Sequence, residues 1–130
     1  MLGDLTSYQI SGLVQLAAYR KQFYSVNPLS IASSPKKIKN DVITKFIELF
    51  CGHNFADTDY SVIQQEPLEY DTLDEWIEQA SIGAILKSFT YFIWTDKILE
   101  GYFRTRIENN IIDKLLQRLE ILLKEERIVA

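Results

Sequence analysis

A chain of 130 residues with 47% hydrophobic content carries enough apolar material for one continuous core, so a single domain over residues 1–130 with no internal boundary is expected. One cysteine, Cys51, and one histidine, His53, exclude an intrachain disulfide and a Cys/His metal cluster, and point to a reducing, cytoplasmic home. The net charge of -4 is polarised: residues 1–52 carry a net +3, residues 53–80 hold eight acids and no base, and the remainder is +1, which excludes a uniformly basic nucleic-acid binder.

The first residues contain no basic stretch leading into an apolar run, so no secretory leader is expected. Over residues 6–24, Ile10, Leu13, Val14 and Ala17 mark a helical stripe widened by Leu16, Phe23 and Tyr24, and Pro28 is expected to stop it. Residues 25–35, rich in Ser and Pro, read as a loop in which residues 29–32 have room for one short strand. A second helix is predicted from Ile38, Val42, Ile43, Phe46, Leu49 and Phe50, which step by three and four while Lys39, Lys45 and Glu48 stay outside, with Gly52 ending it.

Residues 53–71 lack periodicity and read as loop. Thr72 followed by Glu75 has the spacing of a capping box, so a helix should begin near Leu73 and run through Trp76, Ile82, Ile85, Leu86, Phe89, Phe92 and Ile93, with a break near residues 81–83. Its second half is apolar on nearly every side, which places it at the centre of the core. The apolar run over residues 82–94 is interrupted by Lys87 and falls short of the roughly 20 residues that span a bilayer, so no membrane partner is expected. Asp96 then suits the N-cap of a helix presenting Ile98, Leu99, Tyr102, Phe103 and Ile107, and Asn109-Asn110 offers a turn. The last helix has the strongest pattern: Ile112, Leu115, Leu116, Leu119, Leu122 and Leu123 form its stripe, and Lys114, Gln117, Arg118 and Glu120 take the wet side.

The run Thr90, Ile93, Asp96-Lys97-Ile98-Leu99-Glu100-Gly101-Tyr102-Phe103, Glu108-Asn109-Asn110, Ile112, Leu115-Leu116 and Arg118-Leu119 resembles the C-terminal half of a mainly bacterial family, domain of unknown function 6508. The resemblance covers residues 80–119 and extends more loosely upstream, through residues 42–50, Asn54-Phe55 and Asp59-Tyr60. It departs from that family at Trp94, where the family has Arg, and at Lys97-Ile98, where it has Arg-Phe. The resemblance implies a helical second half and a small bacterial or phage-type cytoplasmic protein, and it implies no activity.

Several residue groups invite a chemical reading. Asp96, Glu100 and Arg104, four apart, would lie along one face of a helix and hold an anion or small molecule, with Trp76 or Tyr102 closing the site. The same acids also suit a helix N-terminus, where negative charge is favourable by roughly 0.3–1 kcal/mol with no ligand. Gly101 inside a helix costs about 1 kcal/mol relative to Ala, which close approach of another helix would offset. The acids of residues 57–78 lack the alternating Asp/Asn layout of a calcium loop, so no metal or other cofactor is expected. Cys51 and His53 have no third group to orient the imidazole, and no catalytic residue is assigned. Lys36, Lys37 and Lys39 form a small cluster, and the acids Asp113, Glu120, Glu125 and Glu126 on the last helix argue against a DNA-reading helix.

The expected architecture is therefore mostly all-α, a bundle of about five helices packed on residues 82–94. The function this favours is a noncatalytic protein-interaction module whose partner is a second copy or another protein. The alternatives are a small-molecule or anion-binding enzyme with a site near Asp96, Glu100 and Arg104, and a nucleic-acid-associated protein using Lys36 and Lys37.

Overall fold

A computed structural model describes residues 5–26, 33–35, 38–53, 55, 68 and 70–126. The described chain is all-α in character, with one short β-ribbon: α1 (Ser7–Ala18), α2 (Arg20–Phe23), β1 (Tyr24–Val26), β2 (Ser33–Pro35), α3 (Asn40–Gly52), a 3-10 turn (Tyr70–Thr72), α4 (Leu73–Glu78), α5 (Ile82–Ile98), α6 (Tyr102–Glu108) and α7 (Ile111–Glu125). Among the described residues no helix is long and apolar enough to cross a membrane.

Helix α1 starts where the sequence supplies a reciprocal cap. The Gln9 N–H donates to Thr6 Oγ1 at 3.1 Å, and the Thr6 N–H donates to Gln9 Oε1 at 3.2 Å, so two orphan donors are satisfied together. The helix expected over residues 6–24 is broken at Tyr19, which ends α1 and opens α2. It stops at Phe23 rather than at Pro28, because Tyr24 turns to extended backbone and joins the ribbon. Strands β1 and β2 are antiparallel, pairing Tyr24 with Pro35, Ser25 with Ser34 and Val26 with Ser33. The strand expected at residues 29–32, like Pro28, lies outside the described residues.

Helix α3 buries Ile43, Phe46 and Phe50 and exposes Lys39, Lys45 and Glu48, as its periodicity predicts. The helix ends at Gly52, as expected, but without left-handed backbone at that glycine. It is capped by His53, whose Nδ1 faces the Leu49 carbonyl at 2.9 Å and so carries the ring proton there. The His53 ring lies between Tyr8, stacked at 4.1 Å between centroids, and Phe55 at 5.9 Å. A Cβ added to Gly12 would meet this ring at 2.5 Å, so α1 and the end of α3 approach as closely as they do only because residue 12 is glycine. Gly12→Ala is expected to destabilise the fold by about 1–3 kcal/mol, since stacking and the Leu49 bond prevent the ring from yielding. In a His53→Ala background the same change should be neutral or stabilising by up to about 1 kcal/mol, because alanine outranks glycine within a helix. Urea melts of the four proteins measure both signs.

The Thr72–Glu75 capping box does not form: Thr72 leaves the 3-10 turn at φ -127°, ψ 34°, outside capping geometry, and makes no side-chain cap to α4. The break near residues 81–83 is present, with Ser81 capping α5 through the Ala84 N–H at 3.1 Å. Helix α5 is the core of the molecule, burying Ile85, Phe89, Phe92 and Ile93 together with Ser88 and Thr90. The two buried hydroxyls are satisfied within the helix, donating to the Ala84 and Leu86 carbonyls at 3.0 and 2.8 Å. Around α5 pack α3, through Phe46 and Phe50 against Phe89, and helices α6 and α7; α1 packs in turn on α3 and α7. One continuous hydrophobic cluster joins all of these elements.

Candidate functional site

The expected helix beginning at Asp96 is replaced by a corner. Helix α5 runs through Asp96 to Ile98, the chain turns at residues 99–101, and α6 opens on Gly101 at φ +89°. Nothing lies within 4 Å of a Cβ built on Gly101, so the residue answers a backbone requirement and not a close approach of another helix. Consequently Asp96, Glu100 and Arg104 do not share a face of one helix. Ile98 and Leu99, expected on an apolar stripe, are 72% and 58% exposed at the tip of the corner.

Each of the predicted site residues has a distinct position. Asp96 Oδ1 accepts the Phe103 N–H at 3.0 Å, capping α6 from seven residues upstream. Arg104 donates from Nη1 to the Ile38 carbonyl at 2.9 Å and from Nη2 to Asn40 Oδ1 at 2.7 Å, clamping α6 to the start of α3. Glu100 is exposed on the turn between them. Tyr102 packs edge-on to Tyr91 and tilted to Phe92, both at 6.2 Å, with the Arg106 guanidinium 4.3 Å from its ring centroid. Trp76 instead lines an open hollow of about 310 Å³ with Gln79, Ala80, Ser81 and Ala84, which none of the other four residues lines.

The acids and bases outside that set divide in the same way. Cys51 is exposed while His53 is buried. Lys36, Lys37 and the acids Asp57, Asp59, Glu66 and Glu69 lie outside the described residues; among those described, no three His, Cys, Asp or Glu side chains gather as metal ligands would. On α7, Lys114 pairs with Asp74 at 2.8 Å on the surface, and Arg118 Nε donates to the Ala80 carbonyl at 3.0 Å, tying α7 to the α4–α5 junction.

The most developed polar constellation involves residues given no site role by sequence. Asp113 is only 4% exposed. Its Oδ1 accepts Arg20 Nε at 2.6 Å and its Oδ2 accepts Gln117 Nε2 at 2.9 Å. Above it, the Tyr24 hydroxyl donates to the Ile107 carbonyl at 2.7 Å and accepts the Asp113 N–H at 3.1 Å. The cluster joins α2 and β1 to the ends of α6 and α7, satisfying buried polar groups across a sequence separation of about ninety residues. Burial holds the Tyr24 phenol well above its ordinary value near 10, as does the charge of Asp113, against the lowering effects of the Asp113 N–H and of Arg20.

That shift carries a signed consequence. A phenol that binds its proton more tightly folded than unfolded contributes stability fully present below about pH 10 and lost as the pH climbs from there toward the folded value. The stability difference between wild type and Tyr24→Phe is therefore expected to shrink above about pH 10, by up to ~1.4 kcal/mol per pH unit. Denaturant titrations at about pH 8 and about pH 11 measure it; a constant difference would contradict the assignment.

The sequence signal for the cluster is Asp113 itself, an acid between Ile112 and Leu115 that borders the α7 stripe. A helix N-terminus explains such an acid equally well, which is why spacing alone gives it no buried role. No family model, curated protein or solved structure matches the chain.

Proposed function

We propose that this chain is a noncatalytic protein-interaction module of a bacterial cytoplasm, akin over residues 80–119 to domain of unknown function 6508. One observation carries the reading. At the α5–α6 corner the charged groups Asp96 and Arg104 are committed to holding α6 in place, while Ile98 and Leu99 project into solvent at 72% and 58% exposure. Two adjacent large aliphatic side chains on a braced corner present apolar area with little ordering cost left for a partner to meet.

The test is site-specific photocrosslinking in the native host with a photoreactive residue at position 98 of the full chain. A discrete protein adduct that disappears when Leu99→Asp is added supports a module. Crosslinking no greater than at a control position on the wet face of α3, such as Lys45, overturns it.

A further inference from the structure

The corner that carries the proposed function also contains the means to identify a partner, and the inference rests on that reading. Its tip has the order Lys97-Ile98-Leu99-Glu100, an apolar pair flanked by opposite charges. All four side chains are exposed. Lys97 leans back over Trp94, its Nζ 3.8 Å from the ring centroid, although Glu100 is three residues away. Among the described residues Lys97 and Glu100 form no ion pair with each other or with any other side chain.

A two-fold axis imposes a simple rule: if residue i of one protomer meets residue j of the other, then j also meets i. With the axis between Ile98 and Leu99, Ile98 of each copy faces Leu99 of the other and Lys97 faces Glu100. The single segment thus provides both halves of a matched surface, with two apolar contacts and two ion pairs. We propose that the α5–α6 corner is a self-association site, its occupant being the same corner of a second copy of this chain.

The corner is small beside the roughly 800 Å² per partner of a standard interface, so the dimer is weak and concentration-dependent. Analytical ultracentrifugation of the full chain from about 10 µM to about 1 mM should show the average mass rising from 15.1 kDa toward twice that value. Ile98→Asp should hold it at the monomer mass.

Charge reversal gives the discriminating arm. Lys97→Glu alone sets two carboxylates against each other at both cross-pairs, and Glu100→Lys alone sets two ammonium groups against each other there, so each should raise the dissociation constant about tenfold. Mixing the two single variants makes both cross-pairs attractive again, as does combining the changes in one chain, and association should return. The substituted side chains are exposed, and circular dichroism of each variant checks that the fold is kept. A mass of 15.1 kDa throughout, or a mixture no heavier than its components, overturns self-association. If another protein still crosslinks at position 98, the module reading survives that failure; if none does, both fall.

Discussion

Truncation of Phe46 to alanine is expected to lower the free energy of unfolding by about 3–5 kcal/mol, a large part of the roughly 5–15 kcal/mol that holds a domain of this size folded. Phe46 is wholly buried, and its ring meets Tyr19 at 5.3 Å, Phe23 at 5.4 Å, and Phe89 and Phe103 at 5.5 Å each. These rings come from the α1–α2 break, α2, α5 and α6, so one side chain of α3 joins most of the N-terminal half to the central helix. Their geometry also limits relaxation. Tyr19 stands edge-on at 86° and the others are tilted by 48–59°, and each is held on a different backbone segment, so the void left by alanine does not close by one helix sliding inward. Phe46→Leu fills most of the same space and should cost about 1–1.5 kcal/mol. Urea unfolding followed by helical circular dichroism compares the three proteins. Equal losses for Leu and Ala would show that the ring contacts, not the volume, carry the energy, and a loss below about 1 kcal/mol for Ala would remove Phe46 from the centre of the core.

The central place of Phe46 is partly legible in the sequence, since it falls on the stripe Ile38, Val42, Ile43, Phe46, Leu49 and Phe50. The long stripes of α3 and α7 and the all-round apolarity of α5 express the 3.6-residue period repeatedly, and repetition survives local exceptions. What resists reading is what occurs once. The break at Tyr19 has no glycine or proline to announce it, and the cap of α3 comes from a buried histidine one residue past Gly52. The α5–α6 corner is the sharpest case: Asp96 has the composition of an N-cap, but the turn is made five residues later by Gly101 in left-handed backbone, and Asp96 reaches forward to cap α6 from within α5. Placing Asp96, Glu100 and Arg104 on one helical face requires an unbroken helix, which the corner removes. Arg104 finds its partners at Ile38 and Asn40, more than sixty residues away, and no local spacing encodes a contact of that range.

The same limit applies with greater energetic weight to Asp113, whose replacement by alanine should cost about 3–5 kcal/mol. Removing this carboxylate takes from the Arg20 side chain, only 18% exposed, the ion pair made at 2.6 Å, and strips the Gln117 amide of its acceptor. The cost thus combines the desolvation of the partner groups left behind with the intrinsic worth of the pair. The two contributions are separable by measurement. Asp113→Asn retains the shape and one acceptor oxygen and should lose about 1–2 kcal/mol. Replacing both partners, Arg20→Met with Asp113→Leu, removes both members of this pair together and should recover most of what Asp113→Ala loses, since apolar side chains of similar volume often match a buried ion pair. A thermodynamic cycle over Arg20→Met and Asp113→Leu then isolates the coupling, expected at about 1.5–3 kcal/mol. If the two single costs simply add to within about 0.5 kcal/mol, the two residues act independently and the tie between α2 and α7 at this point is geometric only. A coupling in the expected range would instead establish that the N-terminal helices are anchored to α7 by charge across ninety-three residues of chain, at a position where the hydrophobic pattern alone shows only an acid near the start of a helix.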